Sequence, residues 1–219
     1  MPNQAILKRY IWELPVRMSH WVNVLSIVIL AITGYFIGNP ASFGSSASDY
    51  TMGWIRFVHF VAAYAFTVSV VSRLIWSLIG NKYAGWREFF PFLTADGRKN
   101  MVQMLRYYMF IDRKIPETVG HNSVATTAYF VLFLFYILMI LTGFALYAEH
   151  APNGMMHSVL APMYSLFSNQ GMRLAHHLSM WMILGFVINH IYSVILMDIK
   201  GEGGEIQSMF TGHKISVKE

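Results

Sequence analysis

Residues 174–197 read LAHHLSMWMILGFVINHIYSVILM, a run without Asp, Glu, Lys or Arg that nevertheless carries His176, His177 and His190. A helix needs roughly 20 predominantly apolar residues to cross the hydrocarbon of a bilayer. Ionisable side chains kept inside such a run are costly and mark function. Working outward, the same charge gap recurs from Met18 to Ser48 and from Thr118 to Ala148, and between Phe57 and Ile79 the one charge is Arg73. Over all 219 residues 12% are charged and 55% hydrophobic, where a soluble domain carries about a quarter charged residues. These gaps predict an all-α integral membrane protein, a single 1–219 domain built as a four-helix bundle. The predicted spans are approximately Trp21–Ile37, Phe57–Ile79, Val124–Tyr147 and Leu174–Met197.

The cations set the orientation. The N-terminal tail carries Lys8, Arg9 and Arg17. The loop between spans two and three carries Lys82, Arg87, Arg98, Lys99, Arg106, Arg113 and Lys114, and the C-terminal tail Lys200, Lys214 and Lys218. The other two loops offer Arg56 and Arg173. The bias of Lys and Arg toward cytoplasmic loops therefore puts both termini in the cytoplasm. The net charge of +5 sits beside the spans, which suits lipid headgroups rather than nucleic acid. The residues before His20 lack an apolar core, so the first span reads as retained rather than cleaved. Trp86–Phe110 mixes aromatics with Lys and Arg, as an amphipathic segment on the cytoplasmic interface does. The uncharged segment His150–Gln170 reads as a structured outer loop on the membrane or against a partner, with a re-entrant segment as the alternative.

Cysteine is absent, which excludes disulfides, thiolate-bound zinc, iron–sulfur clusters and covalently attached haem. Redox or metal chemistry falls to the nine histidines. By depth, His20 and His190 lie toward the cytoplasmic side, His59 and His176 toward the outer side. His176 and His190 are 14 residues apart, about 21 Å of helix and within about 40° of one face, so one helix can serve two stacked cofactors. His177 falls on roughly the opposite side. Two opposed imidazoles at each depth suit haem iron, whereas zinc wants four ligands. The expectation is two b haems between the helices, ligated by the pairs His59–His176 and His20–His190. A haem-free anchor or transporter with a histidine proton relay is the competing reading, and it needs no matched pairs.

Other residues have two readings each. Arg73 lies 14 residues after His59, placed to meet a haem propionate or to snorkel to the interface. Arg17 and Arg173 stand three residues before His20 and His176 and either meet propionates or face lipid phosphates. Gly34, Gly143 and Gly185 read better as helix-packing positions than as haem seats. A short echo, Ala31-Ile32-Thr33-Gly34 against Ile140-Leu141-Thr142-Gly143, suggests two related hairpins.

Three motifs carry a family resemblance: Arg17-Met18-Ser19-His20-Trp21 running through Leu30-Ala31-Ile32-Thr33-Gly34-Tyr35; Arg173-Leu174-Ala175-His176-His177-Leu178 followed by Trp181, Phe186 and His190; and Gly120-His121-Asn122. Over nearly the whole chain the sequence resembles the b-type cytochrome subunit of membrane-bound [NiFe]-hydrogenases, in the wider cytochrome b561 and formate dehydrogenase gamma-like superfamily. The resemblance implies the same four haem ligands. It also implies electrons taken from the iron–sulfur small subunit of a hydrogenase (with its transmembrane helix and its large-subunit partner) on the outer face, and passed to menaquinone or ubiquinone near the cytoplasmic face. The hydrogen-activating site would belong to those partners, not to this chain. By the same resemblance His121 and Asn122 border the quinone; helix capping is the competing role for them. Ser123 departs from the Pro expected after Asn122. A formate dehydrogenase, a thiosulfate reductase or another partner in place of hydrogenase is the alternative.

Overall fold

The computed structural model describes residues 6–40, 50–113, 122–200 and 204–217. The chain is mostly helical, and four helices are long and apolar enough to cross a membrane: α1 (Leu14–Gly38), α2 (Thr51–Ile79), α4 (Ser123–Ala148) and α7 (Asn169–Lys200). Together they contain all four predicted spans. The first helix starts seven residues before the predicted Trp21, because Pro15 suits a first turn that has no amide to satisfy. His20 therefore lies inside α1 rather than at its start. Most apolar side chains of these helices point outward, Leu25, Val28, Ile75 and Ile188 among them, which is stable only where hydrocarbon replaces water.

Two compact units divide the chain. The first is the hairpin α1–α2. Its α1 seam consists of Ser19, Ser26 and Thr33, all buried and spaced by seven residues, facing Ala62, Phe66, Ser69 and Val70 of α2. Small side chains let the backbones approach, and the Ser69 hydroxyl donates across to the Ser19 carbonyl at 3.1 Å.

The second unit holds the N-terminal segment and everything after Ile79. Here α4 packs on α7 through Leu132, Tyr136, Thr142 and Ala145 on one side and Met172, Ser179 and Ile183 on the other. Asn122 caps α4, accepting from the Ala125 amide at 2.9 Å. Two 3₁₀ turns at Trp86–Phe89 and Pro91–Leu93 set Phe89 against Phe133, and Phe90 and Phe92 against Phe130, with ring centroids 5.1–6.3 Å apart. The amphipathic helix α3 (Ala95–Tyr108) follows, capped by Thr94 and burying Met104, with Arg98, Lys99 and Arg106 on its outer side. The segment read as an outer loop contains two short helices, α5 (Met155–Val159) and α6 (Ala161–Leu166). They fold onto their own unit, Met163 entering a cluster with Ala145 and Met172 while the Tyr164 hydroxyl donates to the Ala145 carbonyl at 2.8 Å.

An all-α reading misses one element. Strand β1 (Ile6–Tyr10) pairs antiparallel with β2 (His213–Val217), from Ile6 opposite Val217 to Tyr10 opposite His213. The clasp continues past the ladder. The amides of Ile11 and Trp12 both donate to the Gly212 carbonyl, and the Trp12 indole donates to Ser208 of α8 (Glu205–Thr211) at 3.2 Å. Asn81 ties in the start of the long loop, donating to the Ile11 carbonyl and to Glu13. The two tails thus meet, which an even number of crossings allows. Gly212 sits at φ +81°, and a Cβ there would lie 2.6 Å from the Tyr10 ring and 2.7 Å from the Trp12 carbonyl oxygen. Gly212→Ala is expected to cost about 1–3 kcal/mol of local stability, read as faster proteolysis of the N-terminal tail; unchanged protection would contradict this.

Candidate functional site

Each hairpin builds the same constellation around one histidine. In the first, His59 projects from α2 so that its Nδ1 lies 2.8 Å from Thr33 Oγ1 on α1. That hydroxyl also lies 2.6 Å from the Ile29 carbonyl one turn back. In the second, His176 of α7 places Nδ1 3.0 Å from Thr142 Oγ1 on α4, and Thr142 lies 2.6 Å from the Leu138 carbonyl. The residue after each threonine is glycine, and its missing side chain makes the seat. A Cβ on Gly34 would sit 3.3 Å from His59 Cε1, and one on Gly143 would sit 3.0 Å from His176 Cε1. Gly34 and Gly143 are thus helix-packing positions, as read from the sequence, each making room for an imidazole ring of a neighbouring helix, while a Cβ on Gly185 would meet nothing within 4 Å.

Proton accounting gives the chemistry. A threonine hydroxyl has one proton, and a carbonyl oxygen can only accept. At 2.6 Å the proton belongs to the helix carbonyl, the familiar back-bond of Thr within a helix. The Thr oxygen then accepts, so Nδ1 of each histidine must carry the hydrogen. Nε2 is left with its lone pair, the form a metal-ligating imidazole needs. Both rings are half-buried, within an apolar span yet not sealed by their own hairpin. These residues fit an axial ligand of haem iron.

His190 has a different setting. Its ring stacks on Phe186, one turn earlier, with planes 9° apart and centroids at 5.8 Å. The Tyr129 hydroxyl of α4 lies 3.3 Å from its Nδ1. His20 is half-buried in α1 and meets Trp21 edge to face at 5.0 Å. His20 and His59 thus belong to the first hairpin, His176 and His190 to the second. His177 is exposed, its Nδ1 3.0 Å from the Arg173 carbonyl of its own helix.

The arginines divide. Arg17 and Arg73 are half-buried within α1 and α2. Arg173 is exposed, and its Nε donates to Asn169 at 2.7 Å; Asn169 in turn bonds Glu149. His121 lies outside the described residues. Asn122 is the helix cap already described; burial holds the Tyr108 phenol above its ordinary pKa, and the Asn122 side chain offsets part of that rise. Removing the cap in Asn122→Ala is expected to lower thermal stability by about 1 kcal/mol. An unshifted melting curve would show that the cap is dispensable.

Sequence reasoning missed Thr33, Thr142 and Tyr129. The repeated Thr-Gly pair was the available signal, but linking it to its histidine needs the rotation of a second helix, 26 and 34 residues farther on.

Similarity to known proteins points the same way. The model of the prokaryotic cytochrome b561 family matches residues 11–212. The chain is 40% identical to a Cupriavidus necator protein named "Probable Ni/Fe-hydrogenase B-type cytochrome subunit", over 96% of this chain and 88% of that one. A Bradyrhizobium diazoefficiens protein of the same name is 37% identical, over 94% and 85% of the two chains. An Escherichia coli K12 protein, "Probable Ni/Fe-hydrogenase 1 B-type cytochrome subunit", is 35% identical over 98% and 96%. With the family match running from the first turn of the terminal clasp to Gly212, and relatives alike over nearly their full lengths, this multi-pass membrane chain belongs to the prokaryotic cytochrome b561 family.

Proposed function

We propose that the chain is the dihaem cytochrome subunit of a membrane-bound [NiFe]-hydrogenase, carrying electrons from the enzyme's iron–sulfur small subunit to membrane quinone. The observation that carries this reading is the seat repeated in both hairpins: a histidine with Nδ1 committed to threonine and Nε2 left as a ligand atom. Two haems b would be held by four histidines, His59 and His176 on the outer side and His20 and His190 on the inner side. Depth along the helices supports that pairing. His176 and His190, on one continuous helix, stand about 21 Å apart along its axis, so α7 serves both sites. Bound haem supplies a one-electron iron couple, and two imidazoles per iron favour electron transfer over oxygen binding.

The remaining residues bind, orient and exclude. Apolar side chains keep water from the inner and outer sites. Arg17, Arg73 and Arg173 are placed along the helices to meet propionates. His121 and Asn122, by the family resemblance, are the quinone-side residues, and menaquinone or ubiquinone is the acceptor. Both termini are cytoplasmic in the inner membrane. Hydrogen oxidation outside with quinone protonation from the cytoplasmic side would then add to the proton-motive force.

The test is hydrogen-driven reduction of haem and quinone in membranes that contain the whole complex. Hydrogen is expected to reduce both haems, and quinone to reoxidise them. Reduction by formate but not by hydrogen would overturn the hydrogenase partner. For the quinone side, Asn122→Ser keeps a capping oxygen and removes the amide. Slower quinone reduction with both haems retained is expected, and normal turnover would overturn the role of Asn122.

A further inference from the structure

The threonines do more than hold two helices together. Thr33 and Thr142 make the same two contacts at the same place in their hairpins: a short hydrogen bond donated to the carbonyl one turn back, and an oxygen presented to an imidazole Nδ1. The donated bond is 2.6 Å in both. It removes the hydroxyl's freedom to act as donor to the ring. Each imidazole is thereby confined to one tautomer and one orientation, because the glycine beside each threonine leaves room for the ring edge and little else. A hydrogen bond from Nδ1–H raises the electron density at Nε2 and makes it a more basic ligand. More basic axial ligands stabilise ferric over ferrous iron, so this bond is a lever on potential. The two histidines so held, His59 and His176, are the pair that depth assigns to the outer haem.

We infer that Thr33 and Thr142 are positioning residues that act together, through both axial ligands of a single haem, to lower that haem's midpoint potential. The inference rests on the dihaem reading above. The proposed inner ligand His190 differs in kind: its Nδ1 lies at the longer distance of 3.3 Å from the Tyr129 phenol, and the His190, Tyr129 and Phe186 rings pack against one another. The two cofactor sites are therefore unequal by construction, with the threonine pair belonging to one of them.

Valine matches threonine in shape and keeps the β-branch while deleting the oxygen, so Thr33→Val and Thr142→Val isolate the hydrogen bond. The experiment is a redox titration of haem absorbance in membranes containing the complete complex, with the low-spin ferric signals followed by electron paramagnetic resonance. Both haems should remain bound in each variant. One of the two redox transitions should move to higher potential, the same one in both variants, with its resonance signal displaced. The double variant should move it further and leave the other transition in place. Thr33→Ser and Thr142→Ser, which restore the oxygen, should return that transition to its original position. A merely structural hydrogen bond would lower stability without moving either potential. Full haem content with both transitions unmoved would overturn the inference. So would shifts of different transitions in the two valine variants, since the threonines would then serve different haems. Should valine cost a site its haem, the serine variants decide: full haem content with both transitions in their original positions sustains the oxygen's role, and a displaced transition with full haem content overturns it. Absence of haem from the unaltered chain is a separate result, and it would refute the dihaem reading itself.

Discussion

His176→Ala is expected to leave one haem b on the chain in place of two and to stop hydrogen-driven quinone reduction, while His177→Ala keeps both haems. The neighbouring rings differ only in where the helix turns them. His176 faces α4, where Thr142 takes its Nδ1 hydrogen and Gly143 makes room for its edge. His177 is exposed and bonds its own backbone. If His176 is one of two ligands to a haem iron, as proposed, alanine at 176 should cost the whole site, far beyond the effect of a packing defect. Haem quantitation on the purified variants reads the outcome. Two haems retained in His176→Ala would show that another residue ligates.

The second large effect is expected from a single methyl group. Gly143→Ala places a Cβ 3.0 Å from His176 Cε1, inside the roughly 3.5–4.0 Å at which carbon atoms rest. The ring cannot retreat without stretching its bond to Thr142. Overpacking of this sort costs about 1–3 kcal/mol, and here the strain falls on a ligand, so haem occupancy at that site should drop sharply. Gly34→Ala meets His59 at 3.3 Å, and its occupancy loss should be smaller. Haem content of the two variants, measured side by side, checks the order. Equal and full occupancy in both would mean that the rings are free to move. Gly185→Ala, which meets open space, is the control.

The spans were legible because hydrocarbon tolerates few charges, and the gaps between charged residues mark it directly. Their ends were less so: α1 runs back to Leu14 past Arg17, since a helix continues into the interface wherever its backbone bonds can be kept and its first turn accepts a proline. Helical phase sets His176 apart from His177, and the structure turns His176 toward Thr142 and leaves His177 exposed on its own backbone. The settings of the histidines could not be read that way, because Thr33 and Thr142 act on residues of the next helix. The terminal clasp left no pattern to find. ILKRY and HKISV are five residues each, mixed in polarity, and their pairing spans nearly the whole chain. Likewise α5 and α6 emerged from a segment of prolines, glycine and asparagine whose structure depends on packing against Ala145 and Met172.

All of this depends on the chain holding two haems b through four histidines. The direct measurement is haem content of the purified full-length chain, by the reduced pyridine adduct spectrum against protein concentration. The account predicts about two haems b per chain, with loss of one on replacing His59 or His176 and loss of the other on replacing His20 or His190. A chain that purifies folded and without haem would contradict it.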